Sequence, residues 1–165
     1  MRYIKISFGI FIVLAITRFI PHPPNFTSLI ALSFYAPALF GVRFIPAVVL
    51  SFVLTDLYFG FHATTLFTWG SVILVGLYSK YLSSSLVKRL SGSFLGACLF
   101  FIITNFGVWL LGGYGYTFSG LLSSYTMAIP FFVSTILSTL VFSFLFEFFI
   151  KLKNTYFLSK LEKNL

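Results

Sequence analysis

The sequence predicts an all-α integral membrane protein, a single domain over residues 1–165 built as one bundle of six transmembrane helices. Three observations carry this. First, 59% of the residues are hydrophobic and only 8% are charged, and the mean hydropathy is +1.02. A soluble domain carries roughly a quarter charged residues, so this chain has too few to cover a water-facing surface, and lipid must be its solvent. Second, clusters of Pro, Gly, Ser and charge cut the apolar sequence into runs near the roughly 20 residues that span a bilayer. Third, the basic residues sit at the ends of those runs and are lopsided. With six spans, ten of the eleven Lys and Arg share one side: Arg2, Lys5, Arg43, Lys80, Lys88, Arg89, Lys151, Lys153, Lys160 and Lys163. Arg18 alone falls on the other. Cytoplasmic loops carry the excess of Lys and Arg, so both termini are expected in the cytoplasm and the turn after Arg18 outside. A count of five or seven spans would split the bias. The net charge of +8 is thus explained by topology, and no nucleic-acid partner is expected.

Helix 1 is predicted over 3–20. Arg2 and Lys5 ahead of the apolar run Ile6–Ile16 look like the start of a signal peptide, but no small-x-small cleavage site follows, so the run is read as an uncleaved helix. Pro21, Pro23 and Pro24 end it, because proline lacks the amide donor and restricts the residue before it. Helix 2 is expected over 26–42, with Asn25 or Thr27 capping its start. Arg43 and Pro46 mark a tight turn into helix 3, over 44–61. Helix 4 follows over 64–82. A polar connection, Ser83-Ser84-Ser85 and Lys88-Arg89, leads to helix 5, over 92–111. Gly112-Gly113-Tyr114-Gly115-Tyr116 then opens an uncharged stretch reaching Tyr125, read as an interfacial loop or a short re-entrant segment. Helix 6 is expected over 127–150, with Pro130 in its first turn. Residues 151–165 form a basic, amphipathic tail expected on the membrane surface. Gly92-xxx-Gly96 and Ala47-xxx-Ser51 have the small-xxx-small spacing that permits close helix approach. Cys98 is the only cysteine, which excludes an internal disulfide and a Cys-based zinc site; in its apolar run it reads as a small buried hydrophobe.

The polar residues are unevenly distributed in depth. Arg18, His22, Asn25, Asp56, His62, Trp69, Thr104, Asn105, Trp109, Tyr114, Tyr116 and Tyr125 all fall toward the outer side. The inner halves are nearly all Leu, Ile, Val, Phe, Ala and Ser. Glu147 is the exception, and it is expected to pair with Lys151 one turn along its own helix. A charged side chain inside a membrane helix costs about 2.5–3.5 kcal/mol on insertion scales. Asp56 therefore needs a partner or a wet cavity, and Arg18 is the only cation on its side. The pair admits two readings, a structural clasp between helices 1 and 3 or part of a pocket open to the outside. Its polar neighbours favour the pocket, with Arg18, His22, Asn25, Asp56, Trp69, Asn105, Trp109 and Tyr125 as the candidate binding residues. No catalytic set is visible: there is no His-Glu-x-x-His motif, no Gly-x-Ser-x-Gly elbow and no phosphate-binding loop. Nothing in the spacing of His22, Asp56 and His62 demands a metal. The chain is read as a binder rather than an enzyme, with no cofactor and no metal. Asn25-Phe26-Thr27 matches a glycosylation sequon, but the pattern is short and lies tight against the bilayer.

Several stretches carry a resemblance: Arg18-x-x-Pro-His-Pro-Pro-Asn-Phe, Thr55-Asp56 with Gly60, Thr104-Asn105-Phe106-Gly107-Val108-Trp109-Leu110, Gly120-Leu121 and Ala128-Ile129-Pro130-Phe131-Phe132. Together they resemble a family of small bacterial membrane proteins of uncharacterised function. More loosely, that family resembles the substrate-binding S components of energy-coupling factor vitamin transporters. The resemblance implies a six-helix fold in the bacterial cytoplasmic membrane and a small-molecule pocket near the outer face. It also implies an energy-coupling partner made of a transmembrane subunit and two ATPases. Helix 1 offers Gly9 and Ala15 but not the Ala-x-x-x-Ala spacing with which such components meet that subunit, and no substrate residue carries over. The function expected is substrate capture for a vitamin or micronutrient importer. The alternative is a structural or assembly subunit without a ligand.

Overall fold

Proline and glycine set the α-helix boundaries between Phe19 and Gly60, apart from the one at Leu29. The computed structural model describes residues 1–162, with side chains as far as Tyr156 apart from Asn154. Helix α1 (Arg2–Phe19) stops where Ile20 turns extended ahead of Pro21. The following loop is tight, with the Phe26 N–H bonded to the Pro23 carbonyl and Asn25 held at φ 62°. Asparagine tolerates that left-handed conformation better than most side chains. Helix α2 (Leu29–Phe40) ends at Gly41, and a 3-10 turn over Val42–Phe44 leads into α3 (Ile45–Phe59), which carries Pro46 in its first turn. Gly60, at φ +92°, closes α3, its N–H bonded to the Asp56 carbonyl. Helix α4 (Thr65–Tyr78) tightens into a 3-10 stretch over Ser79–Leu82. The remaining helices are α5 (Leu86–Leu110), α6 (Phe118–Thr126) and α7 (Ile129–Glu162). Among the described residues there is no strand.

The all-α class holds, but the expectation of six membrane-length helices does not. Among the described residues three segments are long and apolar enough to cross a bilayer: Val42–Phe59, Leu86–Leu110 and Ile129–Lys153. Helix α1 carries Arg2, Lys5 and Arg18, and α2 has only 12 residues, about 18 Å at 1.5 Å per residue. Helix 2 is shorter than the 26–42 expected because the Asn25–Ser28 turns delay its start. Helix 5 begins at Leu86 instead of 92, because the Ser85 hydroxyl accepts from the Lys88 N–H and caps it. The 112–125 stretch is not simply a loop. The Thr117 hydroxyl accepts from the Gly120 N–H and starts α6. The separate tail expected at 151–165 is not seen as a new element, since α7 runs without a break from Ile129 to Glu162. Residues 163–165, and with them Lys163, lie outside the described residues.

Helix α2 is the axis of the fold. Every residue from Leu29 to Pro37 is buried, and the helix touches α1, α3, α4, α5 and α7. A helix that is apolar all round belongs inside a bundle. Helix α5 approaches it across Gly92, where a Cβ would collide with the Phe34 ring, and Gly96, which faces Ile30, Val75 and Tyr78. The predicted Gly92-xxx-Gly96 spacing is therefore a true contact face. Ala47 and Ser51 are likewise buried on α3.

Two ion pairs mark opposite ends of the bundle. At one end Arg18 meets Asp56 at 2.6 Å. At the other, Arg89 grips Glu147 with both prongs, Nε to Oε1 at 2.6 Å and Nη2 to Oε2 at 2.7 Å. The Tyr35 hydroxyl adds a 2.8 Å bond to Glu147. The expected Glu147–Lys151 pair is thus replaced. The early start of α5 brings a guanidinium to the carboxylate, and its two parallel N–H bonds outmatch a flexible ammonium.

Candidate functional site

The Arg18 end is built from the C-terminal halves of α1, α3 and α5 and the N-terminal turns of α2, α4 and α7. Arg18, in the last turn of α1, donates through Nη1 to both Thr55 Oγ1 (2.5 Å) and Asp56 Oδ1 (2.6 Å) on α3. Its guanidinium lies 4.8 Å from the Phe52 ring centre and 5.2 Å from that of Phe59. The other oxygen of Asp56 accepts from the Trp69 indole N–H at 2.8 Å. Asp56 is 1% exposed, so it is a buried carboxylate with both oxygens engaged. The pair therefore clasps α1, α3 and α4 together.

Beside the clasp lies a cavity of about 540 Å³. Arg18, His22, Asn25, Asn105, His62, Thr27, Thr64, Thr68, Thr104, Thr135 and Ser138 contribute its polar wall. Phe52, Phe59, Phe100, Leu29, Ile30 and Val108 contribute the apolar one. Among the described residues no carboxylate lines it. A smaller recess of about 110 Å³ continues from Asn25, Thr104 and Asn105 toward Ala128 and Phe132. The largest other cavity described, about 560 Å³ between α1, α2 and α7, is walled by Ile6, Ile10, Val13, Leu32, Phe146 and similar side chains, with Tyr35 and Lys153 as its only strongly polar members. Few polar groups converge there, so the chemistry of recognition is concentrated at the Arg18 end.

Of the eight predicted binding residues, Arg18, His22, Asn25 and Asn105 line the cavity. Asp56 and Trp69 stand behind it and hold Arg18 in place. Trp109 and Tyr125 serve α6 instead: the Trp109 N–H donates to the Thr117 carbonyl at 3.0 Å, and the Tyr125 hydroxyl to the Ile102 carbonyl at 2.9 Å. They fasten this short helix along the last turns of α5. Burial there raises the pKa of the Tyr125 phenol, which stays a neutral donor. At the mouth, His22 Nδ1 lies 2.7 Å from the Pro23 carbonyl and His62 Nδ1 lies 3.0 Å from Thr64 Oγ1. Among the described residues no three of His, Cys, Asp and Glu gather as metal ligands.

Sequence reasoning missed the hydroxyl lining. Thr68, Thr135 and Ser138 are each under 7% exposed, yet nothing sets them apart from the other Ser and Thr of the apolar helices. The Arg89–Glu147–Tyr35 cluster was also missed. A lone glutamate deep in an apolar helix was the available signal, since it needs a cation from somewhere.

No curated protein and no solved structure matches the chain. Residues 2–160 match a family described as a family of unknown function (DUF6580), and with nearly its whole length matched, the chain belongs to that family.

Proposed function

We propose that the protein is a membrane substrate-binding subunit of the S-component kind, which captures a vitamin or other micronutrient in the cavity at the Arg18 end. In this reading that end faces outward in a bacterial cytoplasmic membrane, both termini face the cytoplasm, and an energy-coupling module drives release inward. The protein binds and delivers; it does not catalyse. The observation that carries the reading is the cavity itself. About 540 Å³ falls within the range of small-molecule sites, and polar side chains from α1, α4, α5 and α7 converge on it beside apolar surface. The Arg18–Asp56–Trp69 clasp supports it by fixing one wall. A rigid wall lowers the ordering cost of binding.

Thermal unfolding of the purified protein with a panel of vitamins and their precursors tests this. A true ligand at a hundred times its Kd stabilises by about 2.7 kcal/mol, and that gain should shrink in Asn105→Leu, which removes an amide from the wall. A panel that leaves the melting temperature unchanged would sink the proposal. One observation favours the alternative of a structural or assembly subunit: Asp56 is fully satisfied within the protein and offers nothing to a ligand. On that reading the protein co-purifies with a larger complex that lacks an ATPase.

A further inference from the structure

The hydrogen bonds around the cavity are not neutral about what can enter. Five polar side chains on its α4–α5–α7 wall have a donor engaged with their own helices. Thr68 donates to the Thr65 carbonyl (2.8 Å), Thr104 to Phe100 (2.8 Å), Thr135 to Phe131 (2.9 Å) and Ser138 to Thr135 (3.0 Å). Asn105 Nδ2 donates to the Phe101 carbonyl at 2.8 Å. A hydroxyl has one hydrogen and two lone pairs, so each of the four hydroxyls keeps only acceptor capacity for the cavity. The Asn105 carbonyl oxygen makes no bond within the protein among the described residues. Three of the four hydroxyl residues, Thr68, Thr135 and Ser138, are buried.

The α1 side has the opposite character. Both Arg18 bonds to protein run through Nη1, and among the described residues Nε and Nη2 donate to nothing. They remain as donors on that side. Its charge is already balanced by Asp56, which weakens its pull on a free anion.

Resting on the reading of this cavity as a ligand site, we propose that its ligand is a neutral or zwitterionic small molecule rich in hydrogen-bond donors. It turns N–H or O–H groups toward the Thr104–Thr135 wall and an acceptor, such as a carbonyl or carboxylate, toward Arg18. An anion pressed against the four hydroxyls would meet oxygen lone pairs with no hydrogen to accept, since the second Nδ2 hydrogen of Asn105 is the one donor left on that wall. A molecule with no donors would displace water from the wall and replace none of its hydrogen bonds. The rings of Phe52, Phe59 and Phe100 suit a flat, heterocyclic body between the two ends.

The test uses matched pairs. Each compound of a vitamin and precursor panel is measured beside a counterpart whose N–H and O–H groups are methylated. Nicotinamide beside N,N-dimethylnicotinamide and pyridoxine beside its tri-O-methyl ether are two such pairs. Thermal shift and titration calorimetry read the wild type, Thr104→Val, Thr135→Val and the conservative Thr104→Ser. The expected result is binding by unmethylated members only, weakened about tenfold or more in each valine variant and kept in Thr104→Ser. Serine retains the acceptor while valine keeps only the shape, so loss in valine with rescue by serine separates recognition from packing. Equal binding by both members of a pair, or undiminished binding in the valine variants, overturns the donor rule and leaves the ligand site standing. No binding by any compound overturns both.

Discussion

At the scale of single residues, the clasp is a chain of charge-assisted hydrogen bonds in a setting where an unpaired charge is costly. Arg18 and Asp56 were legible in the sequence because only one cation and one buried carboxylate share that side of the bundle. Trp69 was legible only as one of the candidate binding residues. The direction of an indole N–H leaves no trace in residue spacing, so its bond to Asp56 was not. The Glu147–Lys151 expectation failed for a related reason. Spacing along one helix shows which residues share a face, but not which guanidinium a neighbouring helix brings in. The clasp predicts a stability series. Arg18→Leu leaves Asp56 buried and uncompensated and should cost about 3–5 kcal/mol. Trp69→Phe keeps the ring and removes one bond to a charged acceptor, about 1.5–3 kcal/mol. Arg18→Leu combined with Asp56→Leu should recover most of the first loss, since no lone charge remains. Chemical unfolding in detergent micelles measures all three, and a double variant as unstable as Arg18→Leu alone would show that the ion pair is not the source of the effect.

At the scale of elements, helices are placed by their ends and joined by their small faces. Helix α1 was readable almost to the residue because Pro21 forbids continuation. Helices α5, α6 and α7 were less readable. A serine hydroxyl extends α5 backward, a threonine hydroxyl starts α6 inside a glycine-tyrosine stretch, and α7 continues into a basic segment that composition alone had separated from it. The Gly92-xxx-Gly96 face was visible as a spacing, but its partner, Phe34 on α2, was not. That contact makes a sharp prediction. A methyl added at Gly92 meets the Phe34 ring, whereas one added at Gly9 meets nothing within 4 Å. Gly92→Ala should therefore destabilise by about 1–3 kcal/mol through overpacking, and Gly9→Ala should leave stability near that of the wild type. Adding Phe34→Leu to Gly92→Ala should return part of the loss by clearing the ring. If Gly9→Ala and Gly92→Ala unfold together, close approach at α5 is not what fixes the helix pair.

At the scale of the whole molecule, helix direction constrains how the chain crosses a membrane more tightly than hydropathy does. Helices α3 and α5 both bring their C-terminal halves to the 540 Å³ cavity, so they run the same way. If both span the bilayer, as their length and composition allow, the chain between them must return across its full thickness. Helix α4, at 14 residues, covers about 21 Å, and the four-residue 3-10 stretch after it adds about 8 Å. Their sum is close to the roughly 30 Å of a hydrocarbon core. Neither part looks like a span alone, which is why a count of long apolar helices stops at three. The charge distribution points the same way, since Arg43, Lys80 and Lys88 belong to the end opposite Arg18. Single cysteines in a Cys98→Ser background should settle the arrangement. A membrane-impermeant maleimide applied to intact cells is expected to label Ala63→Cys and Tyr116→Cys at the cavity end, and to label Arg43→Cys and Tyr81→Cys only after the membrane is permeabilised. Labelling of Ala63→Cys and Tyr81→Cys from the same side would mean that α4 does not cross. Labelling of Ala63→Cys only after permeabilisation would put the cavity on the cytoplasmic side, where an importer cannot use it for capture.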